Sequence, residues 1–260
     1  MLKNKRHHEI IEILKQDGFA EVKNLGERLY ASQPTIRRDL DFLEKQGYVK
    51  RSYGGAMLAS NKTDTPISFR KSTKAREKAH ICKLAASLIS PGALIFADAS
   101  TTASHLSTFF HKSDNITVVT NGYYLCNLLA ENDIKVFSTG GRLLKNSMAF
   151  VGSVAEENAA KFNADILFFS SSSLDGNGLI SDYSEEETAL RSAMKRGAKK
   201  SVFLCDSSKF NKTSAFRVCP LDEVDYTITD APLPSELTTC RGLVLVSEGD
   251  GAFLYERQEK

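Results

Sequence analysis

Ser32-Gln33-Pro34-Thr35-Ile36-Arg37-Arg38-Asp39-Leu40 places a helix cap, polar side chains and two adjacent guanidinium groups in one short run. Guanidinium groups bind phosphate oxygens and the major-groove edge of guanine through paired hydrogen bonds, and Gln and Thr reach bases or phosphates. At about 100° per residue on a helix, Ile36, Leu40 and Leu43 share one face, while Pro34, Arg37, Arg38, Asp41 and Lys45 share the other. A helix of this kind enters the major groove by its N-terminal end. The candidate DNA contacts are therefore Ser32, Gln33, Pro34, Thr35, Arg37 and Arg38. Tyr48–Gly55 reads as a small β-ribbon, a wing, whose Lys50 and Arg51 stand ready to grip the neighbouring backbone.

A second set of polar residues follows short apolar runs. ALIFA (93–97) leads into Asp98, Ser100, Thr101 and Thr102, and ITVV (116–119) into Thr120, Asn121 and Gly122. IKVF (134–137) is followed by Gly140, Gly141 and Arg142, and SVFLC (201–205) by Asp206, Ser207, Ser208 and Lys209. In an open α/β sheet, ligands bind beyond the carboxyl ends of the strands. Hydroxyls, glycines and two cations gathered there make a cradle for a phosphate monoester. Each segment by itself is most simply a helix cap, and the convergence of four on one sheet edge is the signal. Asp98 and Asp206 can accept from sugar hydroxyls or cap their turns. Asp175, in Leu-Asp-Gly-Asn-Gly (174–178), is a turn former or a pocket carboxylate. These carboxylates form no acid–base pair, and no catalytic residue is assigned.

The elements that must hold these residues follow from periodicity. Helices are expected at 4–16 and 22–29, and again after the Ser32 cap, with Pro34 in the first turn and Gly47 as the stop. Residues 58–74, rich in Ser, Thr, Lys and Asn and holding Pro66, read as a linker. A helix is expected at 75–89. Beyond it, apolar runs, including DILFF (165–169), DYTIT (225–229) and GLVLV (242–246), alternate with helical stretches at 102–111, 122–131, 153–162 and 185–198. That alternation predicts a mostly parallel sheet covered on both faces. The expected fold class is α/β, with a winged helix-turn-helix domain at 1–57, the linker at 58–74 and an α/β effector domain at 75–260.

Composition supports this division. The net charge of +2 hides 17 Lys and Arg against 10 Asp and Glu in residues 1–78, and 17 against 22 in the rest, so a basic head sits on an acidic body. The five cysteines are scattered with no CxxC, and no HxxxH occurs, so no metal and no cofactor are expected. No apolar run approaches the roughly 18 residues of a membrane span, and the polar start is no secretion signal, so a cytoplasmic location is expected.

The motifs resemble the DeoR family of bacterial transcriptional repressors. TIRRDL (35–40), LEKQG (43–47) and RSYGGA (51–56) look like its winged helix-turn-helix. Glu77-Lys78-Ala79 with Ile81, D-x-S-T-T at 98–102, V-T-N at 119–121, G-G-R at 140–142, V-G at 151–152, D-S-S-K at 206–209 and I-T-D at 228–230 look like its effector domain. The resemblance spans roughly residues 5–235. It implies a fold like ribose-5-phosphate isomerase, double-stranded operator DNA as one partner and a phosphorylated sugar as the other. Carried over by position, the phosphate cradle is Ser100, Thr101, Thr102, Thr120, Asn121, Gly140, Gly141 and Arg142, with Lys209 as the anchoring cation. Ser100 and Tyr53 replace a frequent Gly and His of the family. Ser170–Ser173 replaces a Gly-rich turn, and these serines are expected to line the pocket. One reading helix covers half a site, so a homodimer or homotetramer is expected. The rival reading is a sugar-phosphate isomerase fused to a DNA-binding module, for which Asp175 is the lone candidate base.

Overall fold

Ile10, Ile11 and Leu14 recur at helical spacing, and the chain folds there into α1 (Lys3–Asp17), closed by Gly18 at a positive φ of 73°. β1 (Phe19–Glu21), α2 (Val22–Arg28) and α3 (Gln33–Lys45) follow, then the ribbon β2 (Val49–Ser52) and β3 (Gly55–Leu58), and α4 (Ile67–Ser72). The computed structural model describes residues 3–45, 48–58 and 67–258. The expected stop at Gly47 lies outside them. Of the segment read as a linker, 59–66 also lies outside them, and Ile67–Ser72 is helical where no helix was expected. β3 pairs antiparallel with both β1 and β2. Ile10, Leu14, Leu25, Ile36, Leu40 and Leu43 close the core beneath this three-stranded sheet. The chain divides into Met1–Ser72 and Thr73–Lys260.

The second unit opens with α5 (Ala75–Ala86), three residues shorter than its periodicity suggests. It continues with β4 (Leu94–Ala97), α6 (Thr101–Ser104), β5 (Thr117–Thr120), α7 (Tyr123–Glu131), β6 (Lys135–Ser138), β7 (Arg142–Leu144) and β8 (Ala149–Val151). Then come α8 (Ser153–Ala159), β9 (Ala164–Phe169), β10 (Ser173–Leu174), β11 (Leu179–Asp182), α9 (Glu185–Arg196) and β12 (Ala198–Cys205). β13 (Phe216–Pro220), β14 (Tyr226–Thr229), α10 (Ser235–Arg241), β15 (Leu243–Gly249) and β16 (Ala252–Arg257) complete it. The expected helix at 102–111 is α6 followed by a 3-10 turn at His105–Phe109.

The main sheet has eight strands in the order β15-β16-β14-β12-β9-β4-β5-β6. The six from β14 to β6 are parallel, and the β15–β16 hairpin adds an antiparallel edge. Successive side chains alternate between faces. Ile95, Val118, Ile166, Phe168 and Leu204 join one core, which includes Ile81 of α5, whereas Phe96, Val119, Leu167, Phe169 and Phe203 join the other, with Leu190 and Met194 of α9. Burial on both faces explains why these strands read as unbroken apolar runs. From β4 the chain steps outward to β5 and β6, then returns to β9 on the other side of β4 and steps outward to β12 and β14. A crevice therefore opens at the carboxyl ends of β4 and β9, the switch point at which such sheets hold ligands.

Candidate functional site

In the first unit α3 buries Ile36, Leu40 and Leu43, as their spacing predicts, and also Asp39. The Asp39 carboxylate accepts from Arg6 Nε at 2.5 Å and from His7 Nε2 at 2.7 Å. Because a carboxylate only accepts, the His7 nitrogen facing it carries the proton. The bond to Asp39 raises the Arg6 pKa, against the opposing effect of burial. Phe42 stacks on His7 with ring centroids 5.0 Å apart, so α1 and α3 are locked at this point. Ser32 caps α3, accepting from the Thr35 N–H at 3.4 Å. Gln33, Pro34, Arg37 and Arg38 are exposed on the opposite face, where Arg37 donates to Gln33 one turn back at 3.4 Å. On the ribbon, Lys50 is exposed. Arg51 pairs with Asp41, and its backbone N–H donates to Glu44 Oε1 at 2.8 Å, so it fastens the ribbon to α3.

In the second unit the switch-point crevice gathers part of the expected cradle. Thr101 Oγ1 accepts from Lys78 Nζ at 3.1 Å. Lys209 Nζ donates to Ser170 Oγ at 2.5 Å, lies 3.5 Å from Thr102 Oγ1 and pairs with Asp206 at 3.5 Å. Two ammonium groups thus flank Thr101-Thr102. Beneath them Cys82 Sγ donates to Thr102 O at 3.0 Å. Burial pushes that thiol's pKa well up, although Lys78 and Lys209 draw it down. Ser100 caps α6, accepting from the Ala103 N–H at 3.0 Å. Lys78 was not among the expected site residues, yet it lies three positions before inward-facing Ile81, on the stripe that packs against the sheet.

Asp98 and Asp206 are both engaged. Asp98 accepts from the N–H groups of Ser100 and Ser170 at 3.1 Å each and from Arg191 Nε at 3.2 Å. Buried Arg191 makes a second ion pair, Nη1 to Asp182, at 3.2 Å. Burial alone would lower the Arg191 pKa, but Asp182, Asp98 and Glu187 together raise it. Asp206 accepts from the Ser208 N–H at 3.2 Å and from the Ser208 hydroxyl. Of the serines expected to line the pocket, Ser170 meets Lys209, but the others are committed elsewhere. Ser171 and Ser172 donate to Asp182 at 3.1 and 2.7 Å, and Ser173 pairs with Ser214 at 2.7 Å.

The remaining candidates have other partners. Thr120 Oγ1 accepts from the Gly122 N–H at 3.0 Å, and Asn121 Nδ2 donates to Phe150 O at 3.2 Å, leaving its buried Oδ1 without a partner. Gly140 and Gly141 have positive φ, and a Cβ on Gly141 would lie 2.6 Å from Val151 O, so this turn requires glycine. Arg142 is exposed and holds Glu186 of α9 at 2.5 and 2.6 Å. Asp175 Oδ1 accepts from the N–H groups of Asn177 and Leu179 at 2.9 Å each, the turn-forming use of Asp before Gly. Among the described residues, no group of three His, Cys, Asp or Glu could hold a metal ion, and no helix is long and apolar enough to cross a membrane.

Comparison with known proteins agrees with both halves. Residues 6–62 match the DeoR-like helix-turn-helix domain, and residues 73–231 match the DeoR C-terminal sensor domain. The chain is similar to a putative aga operon transcriptional repressor of Escherichia coli, 31% identical over 90% of this chain and 88% of that protein. It is similar to the glycerol-3-phosphate regulon repressor of Escherichia coli, 30% identical over 90% and 93%. The L-fucose operon activator of Haemophilus influenzae is 34% identical over 90% and 94%. Among solved structures, ribose 5-phosphate isomerase A from Methanocaldococcus jannaschii aligns with 53% of this chain and 55% of its own, at 14% identity and a TM-score of 0.40, too distant to bear on chemistry. A helix with its ribbon in the first unit and a doubly wound sheet in the second, each matched by the corresponding family domain, make this chain a member of the DeoR family of transcriptional regulators.

Proposed function

We propose that this chain is a repressor that binds double-stranded operator DNA through α3 and its ribbon, and that a phosphorylated sugar held at the β4–β9 crevice releases it. The observation that supports this most is the pair of ammonium groups, Lys78 and Lys209, flanking the Thr101 and Thr102 hydroxyls at the switch point. A phosphate monoester there would replace hydroxyl and carboxylate partners with charge-assisted bonds. The cradle proper is then Ser100, Thr101, Thr102, Ser170, Lys78 and Lys209. Asn121, with its unpartnered buried acceptor, suits a sugar hydroxyl better than a phosphate oxygen, which has no proton to give. Names of relatives point the same way: one is a glycerol-3-phosphate regulon repressor. Another is named an activator, so a transcription assay is read for its sign as well as its size.

Turnover is not part of this reading. An aldose–ketose isomerase needs a base beside the reacting carbon. Asp175 is occupied by its own turn, and Asp98 and Asp206 by ion pairs. A homodimer would supply two reading helices for paired half-sites. A thermal-shift screen across phosphorylated sugars and polyols tests the pocket, because a ligand that binds only the native chain raises its melting temperature. At least one phosphorylated compound should stabilise wild type, and its dephosphorylated form should not. Equal shifts from both forms would contradict an anion-holding pocket.

A further inference from the structure

Two aromatic side chains stand clear of the first unit. Tyr30 is 98% and Tyr53 104% exposed, whereas the next most exposed large apolar side chain among the described residues, Val154, reaches 55%. Both are carried on tightly held backbone. Tyr30 closes α2: its N–H donates to Glu27 O at 3.4 Å and the Ala31 N–H to Gly26 O at 2.9 Å, the paired bonds of a Schellman cap. The residue at that position is left-handed, here with φ 50°, where glycine is the ordinary choice. A Cβ on Gly26 would lie 2.8 Å from Ala31 O, so the turn is packed shut against its helix.

Tyr53 and Gly54 form the two-residue turn between paired Ser52 and Gly55. The Val22 N–H donates to Gly54 O at 2.9 Å, and a Cβ on Gly55 would lie 2.4 Å from Ala20 O, so the tip is fixed against β1. Arg51 ties the same ribbon to α3 through Asp41 and Glu44. One phenol therefore precedes the Ser32 cap of the reading helix by two residues, and the other rides on the ribbon attached to that helix's C-terminal half. A left-handed cap occupied by a fully solvated Tyr brings the free chain no packing, which points to a use in a complex.

Tyrosine hydroxyls are among the donors that proteins direct at DNA phosphates, and being neutral they add hydrogen bonds without releasing counterions. We propose that Tyr30 and Tyr53 are DNA contacts, each donating its phenolic hydroxyl to a backbone phosphate beside the groove that α3 enters. The assignment rests on the DNA-binding reading of α3.

The test is anisotropy of a labelled duplex from the promoter region of the chain's own gene, titrated at several salt concentrations with the full chain and with Tyr53→Phe, Tyr30→Phe and Tyr30→Gly. Each variant should bind at least about tenfold more weakly, the size expected for one lost hydrogen bond to a charged partner, with the slope of log affinity against log salt unchanged. Tyr30→Gly should melt no lower than wild type, because glycine relieves the left-handed backbone, while its DNA affinity falls. A residue serving only the fold would lose both together. Wild-type affinity in both Phe variants would overturn the assignment. Failure of the wild-type chain to bind duplex even at low salt would overturn the DNA-binding reading and the tyrosine assignment with it.

Discussion

Asp39 sits one residue from the guanidinium pair of the reading helix and faces the other way, into a clasp with Arg6 and His7. Its removal takes the shared acceptor away from the Arg6 guanidinium and the buried His7 ring, and breaking a largely buried ion pair is strongly destabilising. Asp39→Ala should lower the stability of the first unit by about 3 kcal/mol in denaturant titrations. A change within error would show that the clasp contributes nothing. Arg37, exposed on the opposite face, has the complementary character. Arg37→Ala should leave the fold intact and reduce the salt slope of DNA binding by about one ion. An unchanged slope in a salt titration counts against a phosphate contact there.

At the scale of elements, Arg191 of α9 joins the end of β4, through Asp98, to the end of β11, through Asp182. Burial pushes the Asp182 carboxyl up, but Arg191, the Ser172 and Ser171 hydroxyls and the Tyr183 N–H outweigh it and hold the pKa below the ordinary carboxylate value. A carboxyl depressed in the folded state stabilises the fold above its unfolded pKa of about 3.9 and loses that contribution as the pH falls through the folded value. The melting-temperature advantage of wild type over Asp182→Asn should therefore be full at neutral pH and shrink below about pH 4. A difference that stays constant down to about pH 3 would show that Asp182 is not held as a carboxylate.

The same elements show what can be read from a sequence. Parallel strands buried on both faces announce themselves as apolar runs, so β4, β5, β9, β12 and β14 and the turns after them are legible; the edge strand β6 is mostly exposed and is legible only from its short apolar run. The hairpin β7–β8, the β10–β11–β13 sheet and β16 are not, since short mixed segments become strands only through partners that the sequence does not name. Lys78 and Arg191 escaped for a related reason. A cation on an inward helical face makes sense only beside its acceptors, and Asp98 is 93 residues from Arg191. Ser171 to Ser173 and Asp175 show the converse: polar residues near a strand end look like pocket lining in a sequence, and only their traced hydrogen bonds show that they also serve the fold, for Asp175 in the turn-forming alternative.

For the whole molecule, the proposed regulation requires that an anion at the crevice bind the DNA-competent and DNA-incompetent states unequally, and a preference of about 1.4 kcal/mol shifts operator affinity tenfold. In that proposal Lys209 is the residue through which the coupling is most directly broken, since it meets Thr102, Ser170 and Asp206 in the segments that follow β4, β9 and β12. The decisive measurement is operator affinity titrated with the phosphorylated sugar that stabilises wild type, made in parallel on wild type and Lys209→Ala. Wild type should release its operator as the ligand is added, and the variant should bind the same operator equally well without ligand and stay bound when it is added. A variant that releases at the same ligand concentration as wild type would contradict the account.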